Sequence, residues 1–352
     1  MIVTVLRMNL GNGGFANAVM AFERAVRAVD EDAVRSAHRE LLDAFRTVSQ
    51  AEARAAGPQL AALLDGVPHD LRAHIAVMVG ACVERGADAV TCAPPVLANL
   101  AEALDEAREF AEYWAAAEGG ELPDPASIEP TDFYDGAGVA ATLSWWTLDH
   151  WIRASLTLMQ REAVRRGLTR STRELLTRRH EAYAKLCGDW RKDLAYALLV
   201  LDDEPVVVLH RETGSGYLVR MTGIGDNFQL HTLLADVLIG GGYLPGDAPS
   251  AAAAAVCRTV EGRVITRGSL NLVAPDGTWL WNEGTPSDIP VVEGTRMLVL
   301  DPPPYLRDWQ AGRYFPAMAG ELVLERVLPK AEAARWFAHV EPSKDPIETA
   351  DA

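Results

Sequence analysis

The first 200 residues repeat apolar positions at the spacing of an α-helix. The runs FANAVMAFERAVRAV (residues 15–29) and DAVRSAHRELLDAFRTVSQAEARAA (residues 32–56) place alanine, valine, leucine and phenylalanine three and four residues apart. This spacing puts the apolar side chains on one face of each helix, in an alanine-rich background that favours helix formation. The runs share no fixed period, so we do not expect a regular repeat array.

Proline and glycine mark the ends of several of these runs. Pro58 is predicted in the first turn of a helix that ends near Gly66, because a first-turn residue does not use its N–H and glycine suits a helix end. Ser171 and Glu174 have the spacing of a capping box. This spacing predicts that the last helix of the helical half begins at Ser171.

The pattern changes near Leu201 to short β-branched and aromatic runs. PVVVLHR (205–211) and GYLVRM (216–221) flank a glycine-bearing turn and predict a hairpin. A second hairpin is predicted around Asp276-Gly277, because a tight turn requires a positive φ there. Further candidates are the strands RMLVL (296–300) and ELVLERVL (321–328) and a closing helix, KAEAARWFAHV (330–340).

These patterns predict the α+β fold class. We expect an N-terminal all-α helical domain over residues 1–200, followed by a smaller α+β domain with a mostly antiparallel sheet over residues 201–340. Residues 341–352 are predicted to be a frayed tail. The 352 residues, 49% hydrophobic and 23% charged, fit two ordinary globular domains.

Charge and motif content disfavour several classes of function. The formal net charge of -16 would repel a nucleic-acid backbone and an anionic membrane surface. The four cysteines have no C-x-x-C spacing, which is typical of buried thiols rather than of disulfides or a zinc knuckle. We find no signal peptide and no apolar stretch long enough to span a bilayer, so we expect a cytoplasmic protein.

The N-terminus contains one glycine pattern of interest. Gly11, Gly13 and Ala16 satisfy G-x-G-x-x-A, which opens a helix in dinucleotide-binding proteins. The next 30 residues are helical, however, and no second strand brings an acidic residue to a ribose. We interpret the pattern as a glycine-bearing loop before a helix, and we expect no cofactor.

The segment from 220 to 246 has the features of a helix with well-defined ends. Asp226 suits the N-cap position, and Gln229 stands three residues later, as in a capping box. Apolar residues follow at helical spacing, and Gly240-Gly241-Gly242 supplies a stop. His231 lies at the border of the apolar stripe, where we expect it to be half-buried.

Two features of the helical half allow a functional interpretation beside a structural one. The segment 161–193 carries an excess of basic residues, which we interpret as a solvated face. Its alternative is a patch for an acidic or phosphorylated ligand, with Arg173, Arg178 and Arg179 as the first candidates. Trp145, Trp146 and Trp151 are interpreted as core residues, with a ligand-binding wall as the alternative.

The least ordinary part of the chain is residues 279–315, the proline–aromatic segment. It combines prolines, which restrict the backbone, with acidic and aromatic side chains. Such loops are common at interfaces and pockets, although a long connection that packs its own rings over a sheet is the simpler interpretation. Asp301 follows a predicted strand, so its carboxylate is expected at a sheet edge. The rings are Trp279, Trp281, Tyr305, Trp309, Tyr314 and Phe315.

Two hypotheses of function remain open. The first is a protein-interaction or accessory subunit that binds a protein partner, or a second copy of itself, through the proline–aromatic segment and the helical surface. Its binding residues would be Arg211, His231, Trp281, Tyr305, Trp309 and Arg313. It rests on the absence of any specific catalytic motif.

The second hypothesis is an enzyme for a small polar or phosphorylated substrate, with a site between the two domains. His210 would transfer the proton, and Glu212 or Asp226 would orient the His210 imidazole. Asp301 or Arg211 would position the substrate. His210 and Glu212 match the H-x-E half of a zinc-deaminase signature, but its P-C-x-x-C half is absent. A metal variant of this site would add His231.

Overall fold

The computed structural model describes residues 14–117, 120–126 and 129–344. The first two glycines of the N-terminal pattern and most of the predicted tail therefore lie outside the described residues. The chain divides into two compact units between Leu194 and Ala195. The predicted fold class is confirmed, because helices form the first unit and a sheet with flanking helices forms the second. No helix among the described residues is both long and apolar enough to cross a bilayer.

The first unit is built on two long helices, α5 (Ala89–Ala117) and α7 (Val139–Met159), which pack against each other with their apolar faces buried. Burying each large apolar side chain contributes roughly 1.5–3 kcal/mol. The helices of this unit, with one that crosses the division, are α1 (Gly14–Ala28), α2 (Glu31–Phe45), α3 (Gln50–Ala61), α4 (His69–Glu84), α5 (Ala89–Ala117), α6 (Tyr134–Ala137), α7 (Val139–Met159), α8 (Glu162–Gly167), α9 (Arg170–Cys187) and α10 (Lys192–Leu199).

Two predicted helix ends are wrong. Pro58 lies inside α3 rather than in its first turn, because the helix already begins at Gln50 after its N-cap, Ser49. Helix α9 begins one residue before Ser171, since the hydroxyl of Thr169 accepts the N–H of Thr172 and caps the helix there.

The second unit contains two sheets. The strands are β1 (Glu204–His210), β2 (Ser215–Thr222), β3 (Val264–Arg267), β4 (Asn271–Val273), β5 (Val291–Val292), β6 (Thr295–Asp301), β7 (Asp308–Ala311) and β8 (Glu321–Val327). The larger sheet has the strand order β4-β6-β1-β2-β8, with β5 paired to β6, and the smaller is a two-stranded ribbon of β3 and β7. Strands β1 and β6 pair in parallel, whereas the other pairs are antiparallel.

Strand alternation gives the larger sheet two apolar faces. On one face Val206 and Val208 pack with α11 (Asn227–Ala235) and α12 (Ala251–Arg258). On the other face Val207 and Leu209 pack with residues of α13 (Lys330–Phe337). The hairpin predicted from PVVVLHR and GYLVRM is confirmed as β1–β2. The Asp276-Gly277 turn is also confirmed, although its second arm makes only an isolated bridge, from Trp279 to Val273.

Helix α11 has the predicted N-cap and an altered C-terminus. The Asp226 carboxylate accepts the N–H of Gln229 at 2.8 Å. The Gln229 side chain does not return to Asp226; it accepts from Gly225 N and donates to Cys257 O, so the predicted capping box is absent. A π-helical turn, Asp236–Gly240, follows the helix and leads to Gly242 with φ of 77°.

Candidate functional site

Some of the predicted site residues lie together in an open groove of about 630 Å³, which we call the Arg211 groove. Three of them line it, and every lining residue belongs to the second unit. The groove combines charged side chains with apolar walls of proline and tryptophan. Its lining residues are Arg211, Glu212, Asn271, Trp279, Asp301, Pro302, Pro304, Val340, Pro342 and Ser343.

The parallel pairing of β1 with β6 positions the charged residues. Because parallel strands end at the same edge of a sheet, Arg211, which follows β1, reaches Asp301 at the end of β6. The Arg211 backbone N–H donates to Leu300 O at 3.1 Å, and its Nε donates to the Asp301 carboxylate at 2.7 Å. Asn271 of β4 stands opposite Asp301 in the antiparallel register. The predicted placement of Asp301 at the sheet edge agrees with this geometry.

Residues 341–344, the C-terminal strap, form one wall of the groove. Glu341 N donates to Pro275 O at 2.8 Å, and Lys344 N donates to Gly277 O at 2.9 Å. The Glu341 carbonyl also accepts Nη1 of Arg211 at 3.0 Å. These hydrogen bonds hold four residues that the sequence placed at the start of a frayed tail. The Trp279 indole donates to the Ser343 hydroxyl at 3.2 Å and so joins the strap to the groove wall.

His210 lies beneath the groove rather than in its lining. It is 3% exposed, and its Nδ1 is 2.9 Å from the Thr213 hydroxyl. Burial lowers the pKa of His210, and the nearby carboxylates of Glu212 and Asp301 oppose this effect only in part. A buried imidazole that bonds to a hydroxyl lacks the contact with a carboxylate that the proposed acid–base role requires.

A second concavity of about 370 Å³, the Arg313 concavity, collects other predicted residues of the same unit. Asp226, Trp309 and Arg313 line it, so the structure separates Asp226 from the His210 region. The Asp226 carboxylate serves as the cap of α11. The complete lining is Asp226, Phe228, Arg263, Trp309, Gln310, Gly312, Arg313 and Tyr314.

His231 supports the Trp309 ring from behind. The expectation that it is half-buried is wrong: it is fully buried, because Trp309 packs across it at a centroid distance of 4.8 Å. Its Nε2 accepts the N–H of Leu270 at 3.3 Å. Burial lowers the pKa of His231 to about 3, with a further contribution from Arg307. The imidazole is therefore neutral at physiological pH. Across the described ranges, no three His, Cys, Asp or Glu side chains are arranged to hold a metal ion.

The rings of the proline–aromatic segment have divided roles. Trp279, Trp309 and Tyr314 line the two concavities, whereas Trp281 and Tyr305 are 41% and 51% exposed. Every residue from 302 to 306 is exposed. The segment thus forms neither a single pocket nor a single flat face.

The alternatives in the first unit receive little support. Trp151 is buried, and Trp145 and Trp146 pack around Phe110 at centroid distances of 5.6 and 5.3 Å, as core residues do. Arg179 of the basic segment pairs with Asp105 at 2.8 Å.

Sequence reasoning missed three contributors to these sites. Arg263 immediately precedes β3, which has four residues, and Asn271 is the first residue of β4, which has three. Strands this short do not show a period-two pattern in the sequence. The C-terminal strap carries no apolar pattern that would signal its docking.

No protein-family model matches the chain, and neither the curated proteins nor the solved structures contain a match.

Proposed function

We propose that this protein is an interaction or accessory subunit that holds an extended segment of a partner polypeptide in the Arg211 groove. The shape of the groove carries this proposal. It is wide and open, and its walls are made of Trp279 and three prolines, whose restricted backbones lose little entropy on binding. An aromatic side chain beside apolar walls is typical of the anchoring part of a protein interface.

The charges of the groove favour a basic side chain in the bound segment. Nε and Nη1 of Arg211 are engaged by Asp301 and the Glu341 carbonyl, and its Nη2 has no acceptor among the described residues. Glu212, by contrast, is exposed and forms no ion pair with a described residue. One arginine and two carboxylates leave the lining with an excess of negative charge. The net charge of -16 for the whole chain would also attract a basic partner.

The exposed loop beside the groove extends the proposed interface. Pro302 and Pro304 line the groove, and Tyr305 and Leu306 continue from them with 51% and 79% of their surface exposed. Large apolar side chains exposed next to a groove are typical of an interaction surface.

Binding is favoured over catalysis because three of the four candidate catalytic residues, all except Glu212, have other partners. His210 bonds to Thr213, Asp301 pairs with Arg211, and Asp226 caps α11. A general acid–base mechanism requires a proton-transferring group that can reach the substrate. None of these three side chains offers that arrangement.

A photo-reactive amino acid at position 305 tests the proposal. In extracts of the source cells, we expect this variant of the full chain to cross-link to a discrete polypeptide. The same amino acid in place of Val260, which is 52% exposed in the same unit, is the matched control and should give no such adduct. Adducts shared equally by the two positions would contradict the proposal.

Charge reversal in the groove provides the second arm of the test. Glu212→Lys should reduce the yield of the position-305 adduct by about fivefold or more, because like charges across an interface are strongly unfavourable. Glu261→Lys, a reversal outside the groove lining, is the control. An unchanged yield with Glu212→Lys would show that the groove does not hold the partner.

A further inference from the structure

The Arg313 concavity lies on the β3–β7 ribbon and the start of α11. Val264 pairs with Ala311 at one end of the ribbon, which brings Arg263 beside Gly312 and Arg313. A Cβ atom at Gly312 would lie 3.4 Å from Cγ of Arg263. The Arg263 side chain therefore crosses the glycine and reaches the same concavity as Arg313.

The arginines of this concavity differ from most others in the second unit in having no acidic partner. Arg263 and Arg313 form no ion pair with any described residue. The one carboxylate in the lining, that of Asp226, accepts the Gln229 N–H. The arginines of this unit that do pair with carboxylates are Arg211, Arg220, Arg258, Arg267, Arg296 and Arg326.

Two N–H donors in the lining are buried and have no acceptor among the described residues. They are Nε1 of Trp309 and Nε of Arg313. Packing holds the indole, since Phe228 and His231 lie against it at centroid distances of 5.7 and 4.8 Å. A buried donor without an acceptor costs free energy, so its presence in a concavity indicates a place where an acceptor binds.

We infer that the Arg313 concavity binds a small oxyanion, a phosphate or carboxylate group carried on a body with an apolar face. The guanidinium groups of Arg263 and Arg313 match the geometry of such a group, and the indole N–H adds a third donor. Phe228 and Tyr314 provide aromatic surface for the rest of the ligand. About 370 Å³ suits a molecule rather than a polypeptide.

This site is separate from the proposed partner groove. The two concavities have no lining residue in common. Small-molecule binding at the Arg313 concavity therefore succeeds or fails independently of partner binding at the Arg211 groove.

Calorimetric titration of the full chain with phenyl phosphate, inorganic phosphate and benzoate tests the inference. We expect saturable binding of phenyl phosphate or benzoate that is tighter than binding of inorganic phosphate, because only the first two fill the aromatic part. The relative affinity of these two probes distinguishes a phosphate ligand from a carboxylate ligand. Saturation by none of the three at about 10 mM would overturn the inference, since even weak specific sites have millimolar affinity.

Three variants identify the donors. Arg313→Gln should raise the dissociation constant about tenfold or more, as expected for loss of a charge-assisted hydrogen bond. Trp309→Phe keeps an aromatic ring but removes the N–H, and it should raise the dissociation constant several-fold. Arg267→Gln removes a paired arginine of β3 from outside the lining and should change it by no more than about twofold. Equal losses in Arg313→Gln and Arg267→Gln would indicate non-specific attraction and overturn the inference.

The indole N–H gives a direct signal that does not depend on affinity. The NMR resonance that disappears in Trp309→Phe belongs to Nε1–H of Trp309. In the wild-type protein this resonance should shift when phenyl phosphate is added, because the N–H gains an acceptor. A resonance that stays in place at saturation would place the ligand elsewhere.

Discussion

At the scale of single residues, partners decide what a charged side chain can do. Asp301 and Asp308 both pair with an arginine of the same unit. The Asp301 side chain is 10% exposed, whereas that of Asp308 is 49% exposed. Water screens the exposed Asp308 pair more strongly than the partly buried Asp301 pair, so an ion pair at position 301 contributes more to stability.

The contrast between these two aspartates is testable. Asp301→Asn should lower the free energy of unfolding by about 1–3 kcal/mol, because it weakens a charged hydrogen bond to Arg211 in a buried setting. Asp308→Asn, the exposed control, should lower it by at most about 1 kcal/mol. Urea unfolding followed by circular dichroism measures both. Equal effects would mean that the Arg211 pair does not organise the groove.

Gly277 is required both by its turn and by the C-terminal strap. Its φ is 86°, and an added Cβ would overlap the carbonyl oxygen of Pro342. Gly277→Ala should therefore combine strain of about 1 kcal/mol with release of the strap. Gly214→Ala is the control, because Gly214 has φ of 65° but open space around it.

Hydrogen exchange separates the two effects. The amides of Glu341 and Lys344 donate to the turn, so they should exchange faster in Gly277→Ala and at an unchanged rate in Gly214→Ala. Unchanged exchange in both variants would show that the strap does not depend on this turn.

At the scale of elements, helix α11 links the core of the second unit to the Arg313 concavity. Asp226 caps its N-terminus, and His231 packs behind Trp309. The cap satisfies a backbone N–H that the helix itself leaves without a partner. Helix α11 therefore contributes to the concavity both through its cap residue and through the support of the Trp309 ring.

Replacement of the cap should separate hydrogen bonding from charge. Asp226→Ala should lower the free energy of unfolding by about 1 kcal/mol, the usual cost of losing an N-cap. Asp226→Asn keeps a side-chain oxygen at the same place and should retain most of the stability. Thermal and urea unfolding of both variants would measure this, and equal losses would show that the charge, rather than the cap, matters.

At the scale of the whole molecule, several histidines are buried or half-buried. Three histidines form a row across α2, α4 and α7: the exposed His74 lies 6.1 Å from His38 and 4.8 Å from His150, between ring centroids. Burial is the main cause that lowers the pKa of His38, His150, His210 and His231. Both units thus contain imidazoles that take up protons more readily after unfolding.

This arrangement predicts a loss of stability in mild acid. The folded-state pKa values lie below 6.5, so the unfolded chain binds more protons and the free energy of unfolding falls as the pH drops below 6.5. His231, with a pKa of about 3, should alone cost about 2 kcal/mol at pH 5. Urea unfolding between pH 7.5 and 5 measures the slope.

The pH at which stability is lost distinguishes the effect of the histidines from that of the carboxyl groups. The carboxyl groups with lowered pKa, such as Asp276 and Glu332, lose their contribution only near and below their ordinary values of about 4. A free energy of unfolding that stays constant or rises between pH 6.5 and 5 would contradict the lowered pKa values of these histidines.

Local patterns in the sequence determined much of the fold. The helical half, the β1–β2 hairpin, the Asp276-Gly277 turn and the Asp226 cap follow from side-chain periodicity, turn sterics and capping chemistry. These features involve residues close together in the chain. The physical causes are therefore visible within a short stretch of sequence. Pro58 shows the limit, because α3 has already begun at Gln50, after its N-cap Ser49, when the chain reaches this proline.

Only the tertiary structure decided which distant residues meet. The parallel pairing of β1 with β6 brings Arg211 to Asp301, and the β3–β7 ribbon brings Arg263 to Arg313. The burial of His231 likewise depends on Trp309, 78 positions later in the chain. Such pairings depend on which elements share a core and on the entropy of closing long loops, and neither is encoded in the period of a local segment.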